Sequence, residues 1–431
     1  RHYRTGMSDL DHARRTAMLD ELHARPAPRM GVPSRAIYLA LKVAQDAATR
    51  DRGQEAHHRA DLALAAELSA QPSGELHGRG FAVRHDSHTE VATYLAYSTP
   101  DAALSADAGI DADRVFPPDW VTSGPARRTA AVIVDVLPLP ADEAAVIDLL
   151  TTMLHADRLV AQRILDGTSV LATDFTADAQ GWTRFVLLAG PQVGPGRIGR
   201  TVQRVLDLET YRGLAMLGFD RARALGARLN AIDPQLVELV AELQDEARPD
   251  ADVLHDLLTV TAELEALAMA HDFRFGATGA YAAIVESRLS EIGGERFLGR
   301  LTLREFLARR YAPAIRTASS TQARLDRMLE RASRAGDLLR TRVEVAQQAQ
   351  NAALLHSMDT RAEVQLRLQH TVEGLSVVAI SYYAVGLLGY LLAPVAKSSG
   401  IDKSVLMAAA IPLVVLATWL GLRWARGRIT H

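Results

Sequence analysis

Two long apolar segments near the C-terminal end constrain this chain more than any other feature. Leu375 to Ala396 contains 22 residues and Ser404 to Leu422 contains 19, and neither segment includes an Asp, Glu, Lys, Arg or His. A helix needs about 20 apolar residues to cross the hydrocarbon core of a bilayer. Only residues 397–403 separate the two segments. The sequence therefore predicts two transmembrane helices that form an antiparallel hairpin.

The charged residues around the two segments predict the orientation of this hairpin. Arginines precede the first segment and follow the second, at Arg361, Arg367, Arg423, Arg426 and Arg428. The connection carries Lys397, Asp402 and Lys403. Because Lys and Arg are enriched on the cytoplasmic side of membrane helices, we expect both chain ends in the cytoplasm. This predicts a membrane protein with a basic cytoplasmic tail at 423–431 and a loop at 397–403 on the opposite side of the membrane.

Charge and cysteine content exclude several functions for the body of the chain. There are 48 Lys and Arg residues against 51 Asp and Glu residues, so no positive field would attract nucleic acid. Cysteine is absent, which removes disulfides, thiolate nucleophiles and Cys-based metal sites. No Ser/His/Asp arrangement suggests catalysis. We expect that the protein is not an enzyme, and no cofactor is identified, although a divalent cation stays open as a ligand.

The body divides into two predicted parts before the apolar segments. Residues 1–195 alternate short β-type runs with helical patches, which is typical of an α/β (α+β) domain. Strands are predicted at 36–41, 81–84, 91–98, 130–137, 169–175 and 183–188, and helices at 9–24, 61–70 and 141–154. Residues 196–374 have a helical period, with interruptions near 233–234, 248–249, 276 and 293–294. The predicted fold class is a membrane protein with a cytoplasmic α/β domain, a helical stalk and spans at 375–396 and 404–422.

A coiled-coil pattern marks the predicted stalk. Apolar and small residues recur at alternating intervals of four and three, at Leu325, Leu329, Ala332, Gly336, Leu339, Val343 and Ala346. Such a seam is typical of helices that pack along one another. The pattern slips at residues 351–359, where either a turn between two helices or a stutter in one helix fits the sequence. The seam predicts self-association, although helices of the same chain are also able to cover it.

One side of the first apolar segment carries polar and small residues. This stripe consists of Glu373, Ser376, Ala379, Tyr383, Gly386 and Tyr390. The second segment has little beyond Thr418 to match it, so the first helix is expected to face protein or water and the second to face lipid. Two interpretations are open. The stripe lines a pore built from several copies, with Glu373 at its cytoplasmic mouth, or its small residues allow close helix packing.

Three further patterns in the N-terminal half are candidate sites. His88 and Glu90 are predicted to share one face of a strand, where they form either a structural pair or part of a divalent-metal site. His23 and Arg25 end a predicted helix, and Arg25 either binds an anion or interacts with the helix carbonyls. Gly194-Pro-Gly-Arg-Ile-Gly199 matches the dinucleotide pattern G-x-G-x-x-G. Because Pro195 lacks a backbone donor, we favour a turn that joins the two parts.

The order of these parts resembles CorA-type magnesium channels, in which a mixed domain, long helices and a two-helix hairpin follow one another. The chain has Tyr390-Leu-Leu-Ala-Pro-Val-Ala396 where those channels have Gly-Met-Asn. The resemblance implies a homo-oligomer, a pentamer by analogy, that transports a divalent cation across the bilayer. The alternative is a membrane-anchored cytoplasmic scaffold or sensor without transport activity.

Four phrases also resemble an uncharacterised family of bacterial membrane-anchored proteins. They are Glu21-Leu-His-Ala-Arg-Pro26, His88-Thr-Glu90, Asp207-Leu-Glu-Thr-Tyr-Arg212 and Thr371-Val-Glu-Gly-Leu-Ser376. This second resemblance extends over the whole chain. It implies a class and a membrane location, and it implies no particular activity.

Overall fold

The chain forms two compact units in the computed structural model, which describes residues 27–42, 52–70, 75–78, 80–88, 90–98, 110–123, 126–243, 248–399 and 402–429. The first unit contains residues 1–245 and 255–335. The second contains residues 246–254 and 336–431. The boundary predicted at residue 195 therefore lies inside the first unit.

A ten-stranded sheet is the centre of the first unit. Its strands are β1 (Ser34–Lys42), β2 (Ser69–Ala70), β3 (Leu76–Gly78), β4 (Phe81–Ser87), β5 (Val91–Ser98), β6 (Arg127–Pro138), β7 (Val160–Ile164), β8 (Ser169–Ala177), β9 (Thr183–Ala189) and β10 (Glu295–Arg296). Their order across the sheet is β10-β7-β8-β9-β6-β1-β5-β4-β3-β2. β6 pairs in parallel with β9. The other neighbouring strands pair antiparallel.

Nine helices accompany the strands in the described part of the chain. They are α1 (Arg52–Ala65), α2 (Ala112–Val115), α3 (Pro118–Ser123), α4 (Glu143–Met153), α5 (Pro195–Glu242), α6 (Asp250–Ile292), α7 (Leu303–Arg310), α8 (Ala312–Ser399) and α9 (Lys403–Ile429). A short 3₁₀ helix spans Ala156–Arg158. The fold is therefore mixed α/β, with long helices after the sheet.

Side chains on the strands alternate between two buried faces of the sheet, because successive residues of a strand point to opposite sides. β1 contributes Ala36, Tyr38 and Ala40 to a core that α5, α6 and α7 cover. Its other residues Ile37, Leu39 and Leu41 belong to a core with α1, α2 and α3. α4 covers a third core over β7, β8 and β9. Both faces of the sheet are thus protected from water.

The start of α5 explains why the first unit continues past residue 195. The helix begins at Pro195, and proline is favourable there because the first helical turn has no partner for its backbone N–H. Ile198, Val202 and Val205 are buried in the core that covers the sheet. The helical pattern after residue 195 therefore marks a change of secondary structure within one unit.

Two predicted helix interruptions are wrong, and two are confirmed. α5 continues through Pro234 and α6 continues through Gly276. Proline inside a helix costs about 3 kcal/mol, and the buried residues Ile232 and Leu236 on either side stabilise α5 in compensation. The predicted breaks at 248–249 and 293–294 coincide with the start of α6 at Asp250 and its end at Ile292.

The six predicted strands are confirmed as β1, β4, β5, β6, β8 and β9, and the helix predicted at 141–154 is α4. The strands β2, β3, β7 and β10 were not predicted because they are short and lack a long alternating pattern. The helix predicted at 61–70 is wrong at its end, since α1 ends at Ala65 and residues 69–70 form β2. The helix predicted at 9–24 lies outside the described residues.

The predicted stalk seam lies on α8, and its first part packs within the same chain. Leu325 and Ala332 are buried, and Arg324 donates hydrogen bonds to Asn230 and Asp233 of α5 at 2.6 and 2.7 Å. This part of the seam needs no second copy. α8 is continuous through residues 351–359, so the interpretation of a turn there is wrong.

In the part of the chain that the structure describes, two helices are long and apolar enough to cross a membrane. One is α8, through its C-terminal apolar part, and the other is α9 over Ser404–Gly421. They contain the two apolar segments of the sequence. Length and composition thus agree with a hairpin of two candidate membrane spans at this end of the chain.

Candidate functional site

The two apolar helices pack through small residues on one side of α8. Ser381 is 5% exposed, and Gly389 is buried. A Cβ atom added to Gly389 would lie 3.4 Å from the sulfur of Met407 on α9. The absence of a side chain at Gly389 therefore allows the close approach of α9. Small residues are the usual means of packing helices in a bilayer, and Gly389 allows such a close approach here.

The predicted stripe lies on the opposite side of α8. Successive helical residues are about 100° apart, so Tyr383 is about 200° from Ser381 around the helix axis. Tyr383 and Tyr390 are 72% and 83% exposed. Ala379 is exposed as well, and no atom lies within 4 Å of a Cβ added to Gly386. Among the described residues, the packing at Gly389 therefore does not extend to Gly386 or to the two exposed tyrosines.

Polar side chains surround Glu373 where the stripe begins. Gln369 donates a hydrogen bond to Glu373 from Nε2 to Oε1 over 3.2 Å. The His370 Nδ1 atom lies 3.6 Å from Glu373 Oε2. One turn further along, Ser376 donates to the carbonyl of Val372 at 2.8 Å. A carboxylate with two polar neighbours therefore stands directly before the apolar part of α8.

Glu90 lies in a buried charge cluster of the first unit. Glu90 is 2% exposed, and Arg274 of α6 donates to both of its carboxylate oxygens. Tyr281 donates to Glu90 Oε2 at 2.7 Å, and the Lys42 Nζ atom lies 3.8 Å from Oε1. Burial alone would raise the pKa of Glu90, but the hydrogen bonds from Arg274 and Tyr281 and the charges of Arg274 and Lys42 hold this pKa below its ordinary value.

His88 and Glu90 do not share a strand face, contrary to the prediction. Both lie in the connection between β4 and β5, where the backbone N–H of His88 donates to the carbonyl of Val91 at 2.9 Å. His88 Nε2 is 3.4 Å from the hydroxyl of Thr93. In the described ranges, no three His, Asp or Glu side chains are grouped as metal ligands. His23 and Arg25 lie outside the described residues.

The first unit has a groove of about 730 Å³ that the sequence does not predict. Its walls come from the 3₁₀ helix, β7, β8, α5 and α7 with the residue that follows α7, and they include Phe175, Arg212, Phe306, Arg309, Arg310 and Tyr311. Two signals in the sequence lie here: Arg309 and Arg310 are adjacent, and Arg212 ends the phrase that begins at Asp207. Neither signal reveals that these residues meet, because they come from distant parts of the chain.

No curated protein matches the sequence significantly. A family model described as "Protein of unknown function (DUF3422)" matches residues 10–429, which is nearly the whole chain. The match includes both units and both apolar helices. The chain therefore belongs to the DUF3422 family, as the uncharacterised-family resemblance predicted.

Proposed function

We propose that this chain is a homo-oligomeric protein of the bacterial inner membrane, in which the apolar parts of α8 from several copies face one another. The observation that carries this proposal is the position of the stripe, opposite the side of α8 that packs on α9. A face with Glu373, Tyr383 and Gly386 suits protein or water better than lipid. α9 then faces the lipid, and both chain ends lie in the cytoplasm.

The part of α8 before the apolar segment supports the same assembly. Several large apolar side chains are exposed there, at Leu354, Leu355, Met358, Leu366, Leu368 and Val372. Contiguous exposed apolar side chains on a helix are typical of an interaction surface. A second copy of α8 would cover them and continue the contact into the membrane.

Cation transport is the function that this assembly supports best. Two helices of one chain cannot enclose a path, so the path requires several copies, five by analogy with CorA-type channels. Each copy would contribute Glu373 to a ring of carboxylates at the cytoplasmic mouth, and such rings select cations. Divalent cations are the proposed substrates because the charge of the ring favours them over monovalent ions.

A membrane-anchored sensor without transport activity is the second candidate. The groove of the first unit favours it, because the groove carries arginines and aromatic side chains far from the membrane helices in sequence. In this alternative the hairpin holds the body at the membrane, and the stripe serves only for assembly.

The transport proposal predicts that Glu373→Gln reduces cation flux. Glutamine keeps the size of the side chain and removes its charge, so flux in proteoliposomes should fall about tenfold or more, given the gain that a charged mouth provides. Glu363→Gln is the matched control. Glu363 lies on the same helix, ten residues before Glu373 and about 80° from it around the helix axis, and its nearest described partner is Arg367.

The measurement compares uptake of magnesium, cobalt, potassium and sodium by both variants and the wild type. Glu363→Gln should transport as the wild type does, and mass determination in mild detergent should give more than one copy for all three proteins. If the wild type gives no flux above empty liposomes for any of these ions, the transport proposal is wrong and the anchored sensor replaces it. A monomer in detergent and in nanodiscs would overturn the assembly itself.

A further inference from the structure

The groove on the first unit combines cationic, aromatic and hydrogen-bonding groups in one concave surface. Its volume of about 730 Å³ lies within the range of small-molecule sites, which span about 300–1,000 Å³. All of the residues that line it belong to the first unit. The groove is therefore separate from the stripe on α8.

The charges in the groove are only partly balanced by the protein. Arg212 donates to both carboxylate oxygens of Glu209, at 2.8 and 2.7 Å. Asp174 accepts from the backbone N–H of His155 at 3.0 Å and of Thr176 at 2.9 Å. By contrast, Arg309 and Arg310 are exposed and have no ion-pair or hydrogen-bond partner among the described residues. Two guanidinium groups are thus available to an anion.

The end of α7 does not explain these two arginines. A cation near a helix C-terminus often interacts with exposed carbonyls. Here the carbonyl of Leu307 already accepts the backbone N–H of Tyr311 at 2.8 Å, and the next helix begins at Ala312. The carbonyl of Leu307 is therefore satisfied without Arg309 or Arg310.

Tyr311 lines the groove and carries a buried hydroxyl that a ligand would reach after a small shift of the side chain. The residue is 9% exposed, and its buried hydroxyl has no hydrogen-bond partner in the described structure. Burial raises the pKa of Tyr311 to about 12, against the opposing influence of Arg212, so the hydroxyl keeps its proton at neutral pH. A buried hydroxyl without a partner is destabilising. An acceptor atom of a ligand would remove this penalty.

Two phenylalanines form an aromatic ledge beside the arginines. Phe175 and Phe306 stack with their ring centroids 4.7 Å apart and their planes at 5°. Both are half-buried, and the Arg212 guanidinium carbon lies 5.8 Å from the Phe175 ring centroid. Phe175 has a φ of +51°, a left-handed conformation that is unfavourable for a bulky residue. Such strain is often retained where a side chain must point into a ligand site.

We propose that this groove binds an aromatic organic phosphate of nucleotide size. The aromatic ring of the ligand lies on the ledge of Phe175 and Phe306, and Arg309 and Arg310 bind its phosphates. Tyr311 donates to a ligand oxygen. Guanidinium groups suit phosphate because they donate parallel hydrogen bonds. This proposal does not depend on transport, and it applies equally to a channel or to an anchored sensor.

The test uses the full-length protein in detergent and the fluorescent probe mant-ATP. Binding of the probe should saturate. Unlabelled ATP should displace it at concentrations about tenfold or more below those needed for pyrophosphate or adenosine. The reason is that pyrophosphate lacks the aromatic ring and adenosine lacks the phosphates. The double variant Arg309→Ala/Arg310→Ala should weaken binding about 10- to 100-fold, as expected for lost hydrogen bonds to a charged group. Tyr311→Phe, which keeps the ring, should weaken binding about fivefold.

A second double variant controls for the loss of charge. Arg316 and Arg327 are exposed residues of α8 in the first unit and do not line the groove. Arg316→Ala/Arg327→Ala should bind the probe as the wild type does. Absence of saturable binding by the wild type would overturn the proposal. Equal loss of binding in both double variants would also overturn the proposal, since it would indicate a general charge effect. Equally strong displacement of the probe by pyrophosphate would overturn it as well, because the groove would then bind phosphate without recognising a ring.

Discussion

Replacing Arg274 with methionine should lower the free energy of unfolding of the first unit by about 3–5 kcal/mol. The Glu90 carboxylate is buried, and the Arg274 guanidinium donates a hydrogen bond to each of its two oxygens. Without that group, Tyr281 and Lys42 are the described neighbours that remain for the charge. The cost of an unpaired buried charge is larger than the net gain of the pair. Thermal unfolding by circular dichroism and hydrogen exchange of β5 would measure the loss.

Arg288→Met provides the matched control for this prediction. Arg288 lies on the same helix and also pairs with carboxylates, at 2.9 Å from Asp207 and 2.7 Å from Glu291, but its side chain is 29% exposed. A partly exposed ion pair contributes less than a buried one, so the control should lose clearly less stability than Arg274→Met. Adding Glu90→Gln to Arg274→Met removes the unpaired charge and should restore part of the stability. Equal losses for Arg274→Met and Arg288→Met would contradict the assignment of a buried charge cluster.

The central strands of the sheet were predictable, and the organisation around them was not. β1 and β6 alternate two sets of apolar residues, and this period identifies a strand whatever it packs against. The sequence did not indicate that α5 covers the sheet. Ile198 and Val202 have a helical spacing that fits a stalk as well as it fits a sheet cover. Periodicity identifies an element, and the partner of that element depends on contacts that are distant in sequence.

The candidate sites were likewise predictable where residues close in sequence form them, and not where residues distant in sequence do. The spacing from Glu373 to Tyr390 predicted one shared face, and α8 is helical throughout that stretch. The sequence did not indicate which small residues contact α9, because Gly386 and Gly389 are equivalent until the hairpin geometry is known. The partners of Glu90 lie 184 and 191 residues further along the chain. No local pattern relates residues at such distances.

The motif Gly194-Pro-Gly-Arg-Ile-Gly199 has a packing explanation that the sequence did not reveal. A Cβ atom added to Gly199 would lie 1.6 Å from the carbonyl oxygen of Pro28. The backbone N–H of Met30 also donates to the carbonyl of Pro195, at 3.3 Å. The segment at residues 27–33 therefore lies directly against the first turns of α5. In this motif the last glycine allows two backbones to touch, and no phosphate is needed to explain it.

Gly199→Ala should consequently destabilise the first unit by about 1–3 kcal/mol or more, the range for inserting atoms into a closely packed site. The clash is with a backbone oxygen, so no side-chain rotation relieves it. Gly196→Ala is the matched control within the same motif, because a Cβ there would meet only the flexible end of Arg200, at 3.4 Å. Alanine is favoured over glycine in a helix by about 0.5–1 kcal/mol, so this control should unfold at or above the wild-type temperature. Thermal unfolding of both variants would measure the difference. Equal stability of the two would mean that residues 27–33 do not contact α5 at Gly199, whereas a loss in Gly199→Ala alone would assign the motif to packing.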